Sequence, residues 1–364
     1  MTASIFEIFK IVLGIIIASF FLFFMLQIAG IYSFTESRST QVTEYKNVKK
    51  LIEDTYVYSV QSEIDLKKPP IFYTPPYISE ADAISVSPSI LYFFKPGKRL
   101  VVYKSSMDYG FWKADFIAAL PESKVFYNLV EYDLDHYSLL HNLTELFPQS
   151  VDPKVEFGFC NGGQELVAKS RDEFLKPIRG IVRTKSPQDL GLQFCTVNFS
   201  EPKTKIVLTR NSEADPSNNT IFIQLPQNRI GAIMFRGTDK EEQVTDYRLV
   251  YKDSLDIFSA IIGGVDSYKY KNKLQFESLL AFSKEESKRA TLLASTYSNP
   301  ELGKQKCAEQ YTVLKTKMDG EFKAFLASVI NFQNYNNPAE MEKFLNLMDE
   351  VNGIYSKIKT AGCD

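Results

Sequence analysis

Apolar residues dominate Ile8–Phe34, and no charged residue falls between Lys10 and Glu36. At about 1.5 Å rise per residue, such a run crosses the roughly 30 Å hydrocarbon core of a bilayer with a little to spare. Nearly every helical face carries Ile, Leu, Phe or Val, which does not suit a helix of a soluble core. An export-signal core is usually about 7–15 residues and ends at a small-residue cleavage site. This run is longer, and Gln27-Ile28-Ala29-Gly30 makes a poor site. The pattern predicts one uncleaved transmembrane helix over 8–34.

The pattern then turns periodic. Val42, Tyr45, Val48, Leu51 or Ile52, and Tyr56 recur in threes and fours, which predicts an amphipathic helical stalk over 35–66. Two Pro pairs in the segment 67–76 make a stiff, extended connector. Short alternating runs follow. Leu91–Phe94 and Arg99–Tyr103 flank Lys95-Pro96-Gly97-Lys98, a predicted hairpin turn. Strand Lys124–Tyr132, helix Asp133–Phe147 and strand Val155–Cys160 read as a β-α-β unit. Further strands are predicted at Gly180–Arg183, Leu192–Asn198, Lys205–Thr209, Thr220–Gln224, Gly231–Phe235 and Tyr247–Tyr251. Segment 77–265 is expected to be an α/β domain with a mixed sheet.

From Lys273 the period becomes helical. Cys307, Tyr311, Leu314, Met318, Phe322, Phe325, Val329 and Phe332 form one stripe. Met341, Phe344 or Leu345, Met348, Val351, Tyr355 and Ile358 form another. Asn299-Pro300 and Asn337-Pro338 are cap-plus-first-turn starts, and Gly263-Gly264 reads as a helix stop. Two such stripes joined by a short loop pack as an antiparallel hairpin, with Leu274–Tyr297 as a candidate third helix. The expected fold is therefore an α/β (mixed sheet) domain followed by an α-helical hairpin or three-helix tail over 266–364, after an N-terminal transmembrane helix.

Cysteine spacing sharpens this picture. The four cysteines are Cys160, Cys195, Cys307 and Cys363. Cys307 lies 28 residues before Tyr335 in the tail's turn, and Cys363 lies 28 after it. An antiparallel hairpin brings them level, and Gly362 at a helix C′ position lets Cys363 swing inward. A Cys307–Cys363 disulfide is predicted, which belongs in an oxidising compartment. Cys160 and Cys195 sit in separate predicted strands; a bridge between them is a candidate that spacing does not decide. The flanking charges point the other way. Lys10 and the α-amine stand before the apolar run, and Arg38, Lys46, Lys49 and Lys50 follow it. A positive-inside count puts the bulk in the cytoplasm, yet long domains translocate regardless of charge. The cysteines favour the N-terminus inside and the bulk outside.

Composition excludes some classes. Forty-two Lys and Arg balance forty-four Asp and Glu, with no basic stripe for nucleic acid. The two histidines, His136 and His141, lie on one predicted helix and point about 140° apart, so they do not share a metal there. No G-x-S-x-G elbow and no phosphate-cradling glycine motif occurs. Cys160 before Asn161-Gly162-Gly163 reads as a strand end at a tight turn rather than a nucleophile. The pairs Glu241-Glu242 and Glu285-Glu286 sit among lysines as solvated charges. Three N-x-[ST] sequons, at Asn142, Asn198 and Asn218, match the number chance provides. No catalytic, cofactor-binding or metal-ligating residue is assigned.

The stretch "DFIAALPESKVFYNLVEYD" and the terminal "CAEQY…AGC" resemble uncharacterised single-span, membrane-anchored surface proteins of archaea, over about half the chain. That resemblance implies a surface location and no activity. Glu7 before an apolar helix also resembles type IV pilins, but no basic leader or processing site precedes it. The expectation is an extracytoplasmic binding or scaffold protein, with the lipid bilayer and another surface protein as partners. A membrane-tethered hydrolase using His136, His141 or Cys160, and a pilin-like assembly subunit, are the alternatives.

Overall fold

The computed structural model describes residues 19–25, 27, 43, 45–59, 61–66, 91–94, 99–121, 123–129, 139, 141–143, 145–147, 155–161, 164–168, 204–209, 220–224, 229–238 and 244–363. It combines mixed sheets with a helical C-terminal region. Among the described residues no helix is long and apolar enough to cross a membrane. Most of 8–34 lies outside those residues. The part described, 19–25, is helical, and Phe20 through Met25 are each more than half exposed.

Helix α1 (45–58) carries Tyr45, Val48 and Ile52 on one face, and all three are buried. They pack on a four-stranded sheet of β1 (Ser62–Asp65), β2 (Leu91–Phe94), β3 (Arg99–Asp108) and β4 (Lys113–Pro121), in the order β1-β3-β4-β2. Successive side chains of a strand point to opposite faces. In β3 and β4, Leu100, Val102, Ile117 and Ala119 face α1, while Val101, Tyr103, Phe116, Ala118 and Leu120 face the main core. Both faces are covered, which explains their near-continuous apolar sequence. The stretch expected as a helical stalk is thus helical in its described middle but lies on the body. Its end, Ser62–Asp65, is a strand antiparallel to β3.

The predicted hairpin between Leu91–Phe94 and Arg99–Tyr103 does not form. β1 and β4 take both edges of β3, so β2 pairs with the far side of β4, in parallel. There Phe93 meets Phe116 and Phe258 edge-on, at centroid distances of 5.2 and 5.4 Å.

A second, seven-stranded sheet replaces the single sheet expected. Its strands are β5 (Ser123–Leu129), β6 (Val155–Asn161), β7 (Gln164–Ala168), β8 (Thr204–Thr209), β9 (Thr220–Gln224), β10 (Gly231–Thr238) and β11 (Val244–Tyr251), in the order β11-β10-β9-β8-β5-β6-β7. β5 and β6 are parallel neighbours, as a β-α-β unit requires. The centre is parallel and both margins are antiparallel. The strands predicted at 180–183 and 192–198 lie outside the described residues.

Helix α2 (Ser254–Tyr297) starts about twenty residues before the predicted third helix and is broken at Gly263 and Gly264. After a 3-10 turn at Pro300–Leu302, α3 (Gln305–Lys317) continues through a π turn, Met318–Phe322, into α4 (Lys323–Val329). A short turn, Phe332–Tyr335, leads to α5 (Pro338–Thr360). The Asn299 and Asn337 side chains cap their helices as expected, accepting from Glu301 N and Ala339 N. The buried stripe of α3 and α4 runs 307, 311, 314, 318, 322, 326, 329. Its run of fours accommodates the extra residue of the π turn, and it places Leu326, rather than the predicted Phe325, in the core.

The β3–β4 turn ties sheet to helices. Gly110 (φ 89°) supplies the left-handed residue of that turn, and Asn352 of α5 grips it on both sides. The Asn352 amide donates to Tyr109 O at 3.0 Å, and Phe111 N donates to Asn352 Oδ1 at 3.0 Å. Phe111 then stacks on Tyr355 at 5.6 Å and also contacts Phe282 and Phe322. Replacing Phe111 with Ala is expected to lower stability by about 2 kcal/mol, from the lost aromatic burial; a denaturant midpoint unchanged from native would refute this anchoring.

Candidate functional site

The densest polar cluster forms where β11 passes into α2. Asp253 is the N-cap of α2, its Oδ1 accepting from Asp256 N at 2.9 Å. Short acceptors suit this position because the first helical N–H groups lack partners. The acidic pair also meets the positive end of the helix dipole.

Two lysines close the cluster. Lys252 Nζ donates to Asp256 at 3.0 and 3.2 Å and to Asn272 Oδ1 at 2.9 Å. Lys271 Nζ donates to Asp256 Oδ1 at 2.6 Å and lies 3.6 Å from Asp253. The Asn272 amide donates to Asp256 Oδ1 at 2.9 Å, and the Tyr109 hydroxyl donates to Asp253 Oδ2 at 2.8 Å. The lysine side chains are fully buried; those of Asp256 and Asp253 are 1% and 7% exposed. Two cations thus balance two anions in the interior. Burial alone would expel each charge, and close pairing with added hydrogen bonds offsets that cost.

Asp256 and Lys271 are fifteen residues apart. In an unbroken helix they would be separated by about 22 Å along the axis. Their contact requires the reversal at Gly263-Gly264, where Gly264 has φ 63°, a left-handed value that glycine adopts freely. The Tyr268 hydroxyl reinforces the fold-back by donating to Val250 O.

The electrostatics follow from this geometry. Burial pushes the Asp253 carboxyl up, but Lys271, Lys252 and the Tyr109 hydrogen bond together hold it below its ordinary value. Burial lowers the Lys271 ammonium to about 8, against the pull of both carboxylates. Burial, and next Asp253, raise the Tyr109 phenol well above its usual range. A lysine poised near 8 is the type that serves as a base or nucleophile, but this one has no exposed surface. A groove of about 730 Å³ lies elsewhere, between α3 and α5 around Thr316, Lys317, Gly320, Glu350 and Gly353. Among the described residues the cluster joins β11 to both halves of α2, with its lysine side chains fully buried. Gln275, 2% exposed, sits beside the Tyr109 hydroxyl and offsets part of the rise in that phenol, without reaching full hydrogen-bond geometry.

The residues singled out in the sequence fall elsewhere. Cys307 and Cys363 are together, with sulfurs 2.10 Å and Cα atoms 5.4 Å apart, both buried. Tyr311 and Tyr297 hydroxyls both donate to Cys363 O, at 3.0 and 3.3 Å. Cys160 is on β6 opposite Glu165 of β7; Cys195 and His136 lie outside the described residues. His141 faces Glu145 at 3.8 Å, one turn along its helix. Glu285 pairs with Lys288 at the surface, but Glu286, expected to be solvated, is buried on the inner side of α2 and pairs with Arg289; Glu241 and Glu242 are outside the described residues. Among the described residues no group of three or more His, Cys, Asp or Glu converges as a metal site. No family model, curated protein or solved structure matches this chain.

Sequence reasoning missed Lys252, Asp253, Asp256, Lys271 and Asn272. A local signal did exist: in "YKDSLDIF", Asp253 and Asp256 stand at N-cap and N3, a capping pattern ahead of an apolar run. Nothing local reveals that Lys271 returns to it.

Replacing Lys271 with Met leaves two buried carboxylates facing one ammonium and is expected to cost about 3–5 kcal/mol. Adding Asp256→Leu restores the balance, so the double variant should regain much of the loss in a denaturant melt. A double variant no more stable than the single one would sink the charge-balance account. The pH response follows from Asp253. A carboxyl held low in the fold contributes stability above its unfolded value, about 3.9, and loses that contribution as pH falls below it. Melting temperature should therefore drop on acidification below about pH 4, and drop less in Asp253→Asn; equal acid slopes would argue against the assignment.

Proposed function

We propose that the protein is a single-pass membrane protein whose folded body stands on the extracytoplasmic side and holds or recognises another surface protein without catalysing a reaction. The observation that carries the reading is the pairing of an exposed, wholly apolar helical surface at Phe20–Met25 with two buried cysteine sulfurs at bonding distance in the tail. The first suits a lipid environment. The second suits an oxidising compartment. The inward use of the densest charge cluster supports a binding body over an enzyme, because Lys252, Asp253, Asp256 and Lys271 are consumed in joining strands to helices.

The test combines protease treatment of intact cells with thiol mapping. The body should be cleaved from outside, and Cys307 should be recovered joined to Cys363 from membranes blocked with alkylating agent before lysis. A protected body with both thiols alkylated would refute the orientation. Cys363→Ser should lower tail stability by about 3 kcal/mol, read by thermal melting under non-reducing conditions; under reducing conditions the difference from native should shrink.

A further inference from the structure

The body has a surface that the binding role above does not use: the outward face of α1. Its inward residues Tyr45, Val48, Ile52 and Thr55 are at most 3% exposed. The opposite stripe reads Lys46, Lys50, Asp54, then Val57 and Tyr58, spaced as one helical face and all exposed. Val57 and Tyr58 are 68% and 70% exposed. Lys49 flanks the stripe, 3.8 Å from Glu53.

Over the described turns of this helix, Lys46, Lys49 and Lys50 stand on the N-terminal side and Glu53 and Asp54 on the C-terminal side. The lysine also precedes the glutamate in the Lys49–Glu53 pair, which is the weaker orientation. The exposed Lys46 and Lys50, one turn apart with Lys49 beside them, present positive charge that an external anionic surface would complement. The Val57–Tyr58 end matches the same surface differently, since tyrosine and apolar side chains favour the headgroup level of a bilayer.

We propose that this face of α1 rests on phosphate-bearing, anionic headgroups of the leaflet from which the chain emerges, with Lys46 and Lys50 as the charge contacts and Tyr58 as the interfacial foot. The proposal rests on the anchor reading of 8–34. Only ten residues lie between Phe34 and Tyr45, a tether of at most about 38 Å when fully extended. The lysines therefore stay near the headgroups at high effective concentration. Attraction between a basic segment and anionic lipid decays within a Debye length, about 8–10 Å, and fades with salt. Asp54 is the one acidic group on the stripe, so the contact concentrates at the Lys46–Lys50 end.

The experiment places the full chain in lipid nanodiscs, either wholly phosphatidylcholine or with a third phosphatidylglycerol. Lysine amines are acylated briefly and read by mass spectrometry, with exposed Lys288 and Lys343 as internal references. In anionic discs at low salt, Lys46 and Lys50 should react several-fold more slowly relative to the references, and high salt should erase the difference. Amide exchange across 45–58 should slow in anionic discs for the native chain and not for Lys46→Gln/Lys50→Gln, a variant that touches no core residue. Insertion with rates independent of lipid charge overturns this proposal alone. A chain that fails to enter either disc overturns the anchor and this proposal together.

Discussion

The reversal of α2 at Gly263-Gly264, held by Asp256 against Lys271 at 2.6 Å, is the constraint on which the rest of the body depends. Before the reversal, Leu255, Ile257, Phe258 and Ile261 are buried in the core shared with the sheets. After it, Tyr268, Phe276 and Leu279 lie in the core shared with α3 and α5. Without the fold-back, one long helix would carry these two apolar sets away from each other. The ionic cluster makes the reversal specific: a hydrophobic contact tolerates sliding, whereas a buried charge must meet its partner or be expelled.

The same cluster reaches the four-stranded sheet. Tyr109 places its hydroxyl on Asp253, and two residues later Phe111 enters the helical core. One β-turn is thereby fixed to the start of α2 and to the middle of α5. Asn336 does the corresponding work at β11. Its side chain accepts from Val250 N at 2.8 Å and donates to Arg248 O at 3.2 Å. It occupies outward backbone groups that an edge strand would otherwise offer to another chain. The link before α5 thus closes part of the edge of the seven-stranded sheet, and the helices act as its boundary.

Much of this was legible where the information is local. The periodic stripes of α3 and α5, the Asn-Pro caps and the level cysteines follow from spacing within a hairpin, which chain length alone brings into register. Strands β8 to β11 follow from alternation. What failed was non-local. A turn motif at Lys95–Lys98 cannot reveal that β1 will occupy the edge of β3, and a helical pattern in α1 cannot reveal the sheet that receives it. The charged cluster was hidden for a related reason. Polar residues such as Lys271 and Asn272 carry no local sign of burial, since polarity is normally solvated, and only the reversal turns that stretch of α2 back onto Asp253 and Asp256.

The placement of these groups bears on topology as well as stability. A positive-inside count treats Lys46, Lys49 and Lys50 as free flanking charge. In the structure they belong to a folded helix whose other face is buried against a sheet, so they move with the body and their contacts are set by its docking. Charge bias acts chiefly through short loops near a span, and a helix packed on a sheet is not such a loop. The tail cysteines carry a different kind of information. Their approach is produced by packing of the helical stripes and the turn at Gly362, and both sulfurs are buried beneath Tyr297 and Tyr311. Closing such a pair removes freedom from a 56-residue loop of the unfolded chain. That gain exists only where thiols oxidise. The gain therefore depends on the redox state around the tail, whereas the contacts of the lysines depend on how α1 packs on its sheet.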